Sequence, residues 1–131
     1  MSTETDARAS ILVVDDDPRN LLAFEVLLAA LDADLELVGS GEDALRALLR
    51  RRHDIVLLDV HMPGLDGFAT AELIRKRARA PQILFVSAQD DPRGPNNPDY
   101  FRKPFDPDVL LGRLAAMIAR LPRPSPAAAA G

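Results

Sequence analysis

Short apolar runs alternate along the chain with longer stretches in which apolar and polar residues are mixed. Each run is bounded by polar or turn-forming residues, which is typical of strands that are buried on both faces. The predicted strands are residues 11–14, 35–38, 55–58, 83–86 and 100–102. Because these strands are separated by helical patterns, we expect right-handed crossovers and a parallel sheet, that is, an α/β fold.

Four stretches between and after the runs carry apolar residues at steps of three and four, the spacing of amphipathic helices. Prolines suit the first turn of a helix, where a missing N–H costs nothing, and Pro18 and Pro107 have this place in the first and last predicted helices. Asp106 suits the cap position just before the last helix. The predicted buried stripes are Leu21, Phe24, Leu28 and Leu31; Ala44, Leu45, Leu48 and Leu49; Phe68, Ala71, Ile74 and Ala78; and Leu110, Leu114, Met117, Ile118 and Leu121.

The segment between the fourth and fifth strands departs from this pattern. Residues 88–99 contain Pro92, Pro95 and Pro98 together with Gly94, all of which disfavour a helix. A parallel crossover usually needs about 10–12 residues including its helix, so the connection has little room. We therefore expect a loop here, with at most one helical turn.

Polar side chains that can do chemistry follow the predicted strands. Asp15 and Asp16 come after the first strand and Asp59 after the third, while Ser87 ends the fourth and Lys103 follows the fifth. Sites in open parallel sheets are built at this edge. If the first and third strands are neighbours, the three carboxylates repel one another, and a hard cation with oxygen ligands, above all Mg²⁺, offsets that repulsion.

Four motifs resemble the receiver domain of bacterial response regulators, over roughly residues 10–121. They are Ile-Leu-Val-Val-Asp-Asp-Asp-Pro at 11–18, Asp-Val-His-Met-Pro-Gly-Leu-Asp-Gly at 59–67, Val-Ser-Ala at 86–88 and Lys-Pro-Phe at 103–105. Each motif alone is weak, but four in order at strand ends are specific. The resemblance implies a doubly wound, five-stranded parallel sheet with the flavodoxin-like strand order 2-1-3-4-5.

The resemblance also implies a role for each site residue. Asp59 is then the phosphoacceptor, since a carboxylate can form an acyl phosphate. Mg²⁺ is then held by Asp16, Asp59 and the backbone carbonyl of His61, with Asp15 acting through water. Further implied contacts to the phosphoryl group are Ser87 and Lys103, and Tyr100 occupies the position of the family's switching aromatic residue. On this basis the chain is not a turnover enzyme and catalyses only its own phosphorylation and dephosphorylation.

A histidine kinase or a histidine phosphotransfer protein is the implied donor of the phosphoryl group. In the family, the fourth helix, fifth strand and fifth helix form the face that contacts output partners. Here the family's fourth helix is expected to be missing or reduced, so that face is altered. We expect its loss to uncover apolar sheet surface near residues 83–86 and 100–101, and signalling to use an ordering change in residues 88–99 tied to Ser87.

Two other functions fit part of the sequence. Asp15 and Asp17 after an apolar strand resemble the nucleophile and acid/base pair of a haloacid-dehalogenase-type phosphatase. That interpretation lacks a later strand ending in an acidic pair, and it leaves the Asp59 loop without a role. A pseudo-receiver, which binds partners but never carries phosphate, is the other alternative, although all five site positions are filled.

Composition excludes several classes of protein. The chain has 131 residues, enough for one domain, with 47% hydrophobic residues, no cysteine and a net charge of −4, which argues against a nucleic-acid or membrane-surface binder. The run Arg50-Arg51-Arg52 is interpreted as a solvated helix end, and His53 as a surface residue. We expect a cytoplasmic protein without a membrane span, with a flexible leader at residues 1–9 and a Pro/Ala-rich tail or linker at 122–131.

Overall fold

A computed structural model describes residues 8–122 of the chain, and these residues form five strands and four helices, with a helix after every strand except the fourth. The predicted leader and tail fall almost wholly at residues 1–7 and 123–131, outside the described residues. The strands are β1 (Ala9–Val14), β2 (Ala33–Val38), β3 (Ile55–Asp59), β4 (Gln82–Ser87) and β5 (Tyr100–Arg102). The helices are α1 (Pro18–Leu28), α2 (Gly41–Arg50), α3 (Gly67–Arg75) and α4 (Pro107–Ala119).

All neighbouring strands are parallel, and the sheet order is β2-β1-β3-β4-β5. This confirms the predicted fold class and strand order. The central strands are apolar throughout because alternate residues point into two separate cores. One core lies against α1 and α4 and includes Ile11, Val13, Phe24, Leu28, Ile55, Leu57, Leu110 and Leu114. The other lies against α2 and α3 and includes Leu12, Val14, Ala44, Ala47, Val56, Leu58, Ala71 and Ile74.

Each helix begins at a side chain that accepts a hydrogen bond from the backbone of its first turn. The Asp17 carboxylate accepts from Arg19 N–H before α1, and the Asp66 carboxylate accepts from Ala69 N–H before α3. Such caps satisfy donors that have no partner within the helix. Because α1 and α3 start immediately after the loops that follow β1 and β3, their caps help to fix those two loops.

Residues 88–99 form turns and contain no helix, which confirms the prediction from the three prolines. The accompanying expectation of exposed apolar sheet surface is wrong, because residues 83–86 and Phe101 are buried. The guanidinium of Arg93 lies 5.1 Å from the ring centre of Phe85 and 5.6 Å from that of Phe68. An arginine stacked on aromatic rings therefore covers the sheet where a helix would otherwise lie.

Two carboxylates hold Arg93 in this position, and we call the three residues the Arg93 clasp. The Arg93 guanidinium donates to both oxygens of Asp91 at 2.8 and 2.9 Å and to both oxygens of Asp99 at 2.8 and 3.0 Å. The hydrogen bonds from Arg93 lower the pKa of Asp91 to about 2. The clasp thus ties residues 91 and 93 to Asp99 at the end of the 88–99 segment, above Phe85.

Three smaller expectations are also wrong. Leu49 does not belong to the buried stripe of α2, because its side chain faces outwards and is 74% exposed. His53 is buried, with 2% of its surface exposed, because its Nε2 lies 2.8 Å from the Glu36 carboxylate in β2. The third helix ends at Arg75 and does not reach Ala78, which is exposed, since the backbone closes a tighter turn from Arg77 N–H to Ile74 C=O. None of the described helices has the length and apolar character needed to cross a membrane.

Candidate functional site

Three carboxylates meet at the carboxyl edge of the sheet. Val14 and Leu58 pair in β1 and β3, so the residues that follow them leave the sheet side by side. Carboxylate oxygens of Asp15, Asp16 and Asp59 all lie within 4.8 Å of one another. The structure therefore brings together the three acids that the sequence proposed for one site.

Asp15 is the buried member of this cluster, with 1% of its surface exposed. Its Oδ1 accepts hydrogen bonds from Asp17 N–H at 2.9 Å and from the Asn20 side-chain amide at 3.3 Å. Its Oδ2 lies 3.8 Å from Lys103 Nζ and accepts no hydrogen bond from the described residues. A buried carboxylate oxygen without a donor is costly, so this atom is suited to a cation or to metal-bound water.

Asp59 ends β3 and is half-buried. Burial raises the pKa of its carboxyl from 3.8 to about 6, and the charges of Asp15 and Asp16 also raise it. Lys103 and the backbone N–H of His61 act in the opposite direction. Near neutral pH the Asp59 carboxyl is ionised in most molecules, although the negative charges of Asp15 and Asp16 oppose that ionisation.

The donor set of the cluster fits Mg²⁺. Mg²⁺ prefers oxygen ligands and is usually held by one or two carboxylates together with water. The cluster offers three carboxylates in reach of one ion, one of which carries a buried oxygen without a donor. His61 is exposed in the loop after β3, and its imidazole is a poor match for a hard ion beside carboxylates.

Ser87 and Lys103 lie beside the cluster at the ends of β4 and β5. Asp59 pairs with Val86, so Ser87 is one residue beyond Asp59 in register. Ser87 is fully buried, and its Oγ accepts a hydrogen bond from Gln89 N–H at 3.1 Å. The Lys103 N–H donates to the Ser87 carbonyl at 2.7 Å, which fixes the backbone of one residue against the other.

Tyr100 is not part of the acid cluster. Its ring packs in the core on the α3 side of the sheet, with its centre 6.3 Å from that of Phe85 and 6.5 Å from that of Phe68. Its hydroxyl donates to the Gln89 carbonyl at 2.7 Å. Since Gln89 N–H donates to Ser87, two hydrogen bonds through one residue connect Tyr100 to the site.

Gly67 and Asn20 support the site but were not proposed from the sequence. A Cβ at Gly67 would overlap the backbone oxygen of Asp59 and would lie 2.7 Å from Val60 Cα. The glycine therefore lets the start of α3 pack directly on the backbone of the site. The Asp66-Gly67 pair was a recognisable turn, whereas nothing in the sequence connects Asn20 with Asp15.

Asp17 lies next to the cluster in sequence but has a different environment. It caps α1, and its carboxylate is paired with the Arg19 guanidinium at 2.9 Å. Hydrogen bonds from Arg19 lower the pKa of the Asp17 carboxyl. A carboxyl that remains ionised and paired is a poor general acid, which weighs against the phosphatase interpretation that used Asp15 and Asp17.

Known proteins with related sequences include response regulators. The family described as "Response regulator receiver domain" matches residues 11–115. The transcriptional regulatory protein AfsQ1 of Streptomyces coelicolor is 34% identical over 123 residues, which are 88% of this chain and 54% of AfsQ1. The DNA-binding response regulator MtrA of Mycolicibacterium smegmatis is 32% identical over 86% of this chain and 52% of MtrA. The chain thus spans about half the length of these curated relatives.

Solved structures with the same fold include receiver domains. The receiver domain of a Francisella response regulator superposes with a TM-score of 0.76 at 25% identity, covering 86% of this chain and 98% of that domain. A signal receiver domain from Vibrio parahaemolyticus superposes with a TM-score of 0.78 at 19% identity, over 86% of this chain and 92% of that one. With the family match over most of its length, the chain belongs to the response regulator receiver domains, the signalling domains of two-component systems.

Proposed function

We propose that residues 10–121 accept a phosphoryl group on Asp59 from a phosphohistidine of a histidine kinase or a histidine phosphotransfer protein, and that this changes the binding of an output partner. The observation that carries the proposal is the acid cluster, with carboxylate oxygens of Asp15, Asp16 and Asp59 within 4.8 Å of one another and Lys103 beside them. The domain acts as a signalling component and not as a classical enzyme.

The transfer itself is a substitution at phosphorus. An ionised oxygen of Asp59 attacks the phosphorus of the phosphohistidine, and an O–P bond forms as the N–P bond breaks. The electron pair of the broken bond returns to the imidazole nitrogen, which then takes up a proton. Water later attacks the acyl phosphate, releases inorganic phosphate and restores the carboxylate. Both steps depend mainly on positioning and on charge neutralisation, so few side chains are needed.

Mg²⁺ would be held by Asp16, Asp59 and the backbone carbonyl of His61, with Asp15 acting through water. When bound, the ion neutralises negative charge on the cluster and on the phosphoryl oxygens. Without a cation, the raised pKa of Asp59, about 6, reflects the cost of ionising it beside Asp15 and Asp16. A bound cation would remove that cost.

Lys103 and Ser87 would bind the transferred group. The ammonium of Lys103 lies 3.8 Å from Asp15 Oδ2, close enough to attract but without a short hydrogen bond that would hold it there. The Ser87 hydroxyl accepts from Gln89 N–H, and its own proton remains available to donate to a phosphoryl oxygen. Both groups are thus able to turn towards Asp59 once a phosphoryl group is attached.

The donor protein would dock on apolar surface next to the site. Leu22 and Val26 on α1 are 60% and 71% exposed, which is unusual for large apolar side chains spaced one turn apart. Beside them, a recess of about 330 Å³ lies between α1 and the loop after β5, and its lining includes Phe24, Lys103 and Phe105. A partner that presents a phosphohistidine to Asp59 has to cover this region.

The output partner would bind the face made by residues 88–99, β5 and α4. Here Gln89 bonds both Ser87 and Tyr100, so a change in the Ser87 hydrogen bond alters the anchoring of the segment. Backbone NMR with and without beryllofluoride and Mg²⁺ tests this readout. We expect the largest shift changes outside the acid cluster within residues 88–100, and changes confined to the cluster would contradict it.

The acceptor is tested by phosphorylating the full chain with acetyl phosphate and Mg²⁺, reducing the acyl phosphate with borohydride and mapping the product by mass spectrometry. We expect the label on Asp59, none in Asp59→Asn, and full labelling in Asp17→Asn, which changes an adjacent acid outside the cluster. Undiminished labelling of Asp59→Asn, or a label on Asp15, would overturn the assignment. A parent chain that takes no label and does not respond to beryllofluoride would instead be a pseudo-receiver.

A further inference from the structure

A basic cleft lies at the end of the sheet opposite the acid cluster. It is bounded by residues 48–53, which form the end of α2 and the start of the connection to β3, and by residues 77–81, in the connection from α3 to β4. Both connections precede strands, whereas the acids follow them, so the cleft is at the amino edge of the sheet. It encloses about 380 Å³ and is lined by Leu48, Leu49, Arg50, Arg51, Arg52, His53, Arg77, Arg79 and Pro81.

The five arginines of this cleft carry more positive charge than the surrounding acids neutralise. Arg50 pairs with Glu36 at 2.7 Å, and Arg52 lies 4.0 Å from Asp54. The other three have no carboxylate partner among the described residues: Arg51, Arg77 and Arg79. In a chain with a net charge of −4, three uncompensated guanidinium groups around one cleft are an unexpected local excess of positive charge.

Two of these three guanidinium groups are already held in place. Arg51 Nη2 donates to Ser10 Oγ at 3.3 Å, and Arg77 Nη2 donates to the Leu45 carbonyl at 3.3 Å. A guanidinium has five N–H donors, so each retains several for a ligand while losing little side-chain freedom on binding. The buried His53 also lines the cleft, and its Nε2 lies 2.8 Å from the Glu36 carboxylate that pairs with Arg50.

We propose that this cleft binds a compact ligand with two or more phosphate groups, either a nucleoside diphosphate or inorganic diphosphate. Arginine matches phosphate oxygens with paired N–H donors. A terminal phosphate monoester carries about 1.5 to 2 negative charges, so a diphosphate carries about three, equal to the uncompensated guanidinium groups. Leu49, which is 74% exposed, and Pro81 offer apolar surface for an organic group attached to the phosphates.

Other polyanions fit the cleft less well. An acidic peptide carries one charge per side chain, so three charges need several residues, and an enclosed volume of 380 Å³ is at the small end for a ligand pocket. A nucleic acid would extend beyond the arginines over a chain of net charge −4, which repels it. A diphosphate concentrates its charge within the cleft itself.

Isothermal titration calorimetry on the full chain tests this proposal, with inorganic diphosphate, ADP and adenosine as separate ligands. EDTA is present throughout, so that no metal at the acid cluster contributes. We expect diphosphate and ADP to bind and adenosine not to bind. If ADP binds more tightly than diphosphate, the ligand is the nucleotide. If the two bind equally tightly, the cleft recognises the diphosphate group alone. Arg79→Gln and Arg51→Gln should each weaken binding about tenfold, the loss of one charge-assisted contact.

Arg46→Gln is the matched control, because Arg46 lies on α2, pairs with Asp43 at 2.7 Å and does not line the cleft. It should bind within about twofold of the parent, and thermal unfolding should verify that all variants are folded. If Arg46→Gln weakened binding as much as the cleft variants do, the loss of affinity would reflect the net charge of the protein and not contacts in the cleft, and the proposal would be overturned. The absence of diphosphate and ADP binding, or equally tight binding of an oligoglutamate peptide or of single-stranded DNA, would also overturn it.

Discussion

Asp59→Asn should stabilise the metal-free protein, and the gain should depend on pH. The pKa of the Asp59 carboxyl rises from 3.8 to about 6 on folding, because of burial and the neighbouring acids. The folded state therefore holds this proton more tightly than the unfolded chain, and ionisation between about pH 4 and pH 7 destabilises the fold. Two pKa units correspond to about 3 kcal/mol, which solvent at the half-buried carboxyl reduces to about 1–2 kcal/mol.

Urea unfolding at a series of pH values, in buffer with EDTA, measures this effect. The free energy of unfolding of Asp59→Asn should match that of the parent near pH 4 and exceed it by about 1–2 kcal/mol at pH 7.5. In saturating Mg²⁺ the parent should become more stable than Asp59→Asn, because the ion binds the intact cluster of the parent better and therefore stabilises its folded state more. Glu72→Gln, at an exposed position on α3, is the control and should show no such trend. A variant less stable than the parent at pH 7.5, or a difference independent of pH, would refute the reasoning.

Three further changes test individual contacts. Arg93→Lys should lower the midpoint of thermal unfolding by about 5 °C, because an ammonium cannot bond two carboxylates in pairs while lying over Phe85; an unchanged midpoint would count against the clasp. Gly67→Ala should cost about 2 kcal/mol in urea unfolding and weaken Mg²⁺ binding, because its methyl group displaces the Asp59 backbone; parent-like values would contradict this packing argument. Lys103→Ala should bind Mg²⁺ at least as well as the parent in a fluorescence or NMR titration, yet fail to respond to beryllofluoride, and a normal response would remove Lys103 from the site.

The strands and the acids at their ends were predictable because both follow from local patterns, whereas the strand order was implied by the family resemblance. A central strand of a parallel sheet is buried on both faces, so residues 55–58 form an unbroken apolar run whose end is easy to recognise. The side chain after such a run lies at the carboxyl edge of the sheet. Asp15, Asp16 and Asp59 therefore came together as soon as two strands were taken as neighbours.

The contacts that the sequence did not predict join residues without a shared local pattern. His53 looked like a surface residue after three arginines, but it is buried against Glu36 on another strand. Residues 88–99 were correctly predicted to lack a helix, since proline and glycine act locally. Their covering of the sheet by Arg93 was not predicted, because it depends on where Asp91 and Asp99 lie once the chain has folded.

The Arg93 clasp changes how a signal could leave the site. A helix over β4 and β5 would move as one rigid body, whereas residues 88–99 are held by separate contacts. These include the clasp, the Gln89 carbonyl bonded by Tyr100, and the exposed Asp90 carboxylate paired with Arg102 at 2.8 Å. The Gln89 contact connects directly to Ser87, and the clasp does not. A phosphoryl group that draws the Ser87 hydroxyl towards Asp59 weakens only the Gln89 end, while Arg93 remains stacked on Phe85. The expected motion is therefore a hinge of residues 88–90 against a fixed clasp, and an output partner would sense the first residues of the segment and not the whole face.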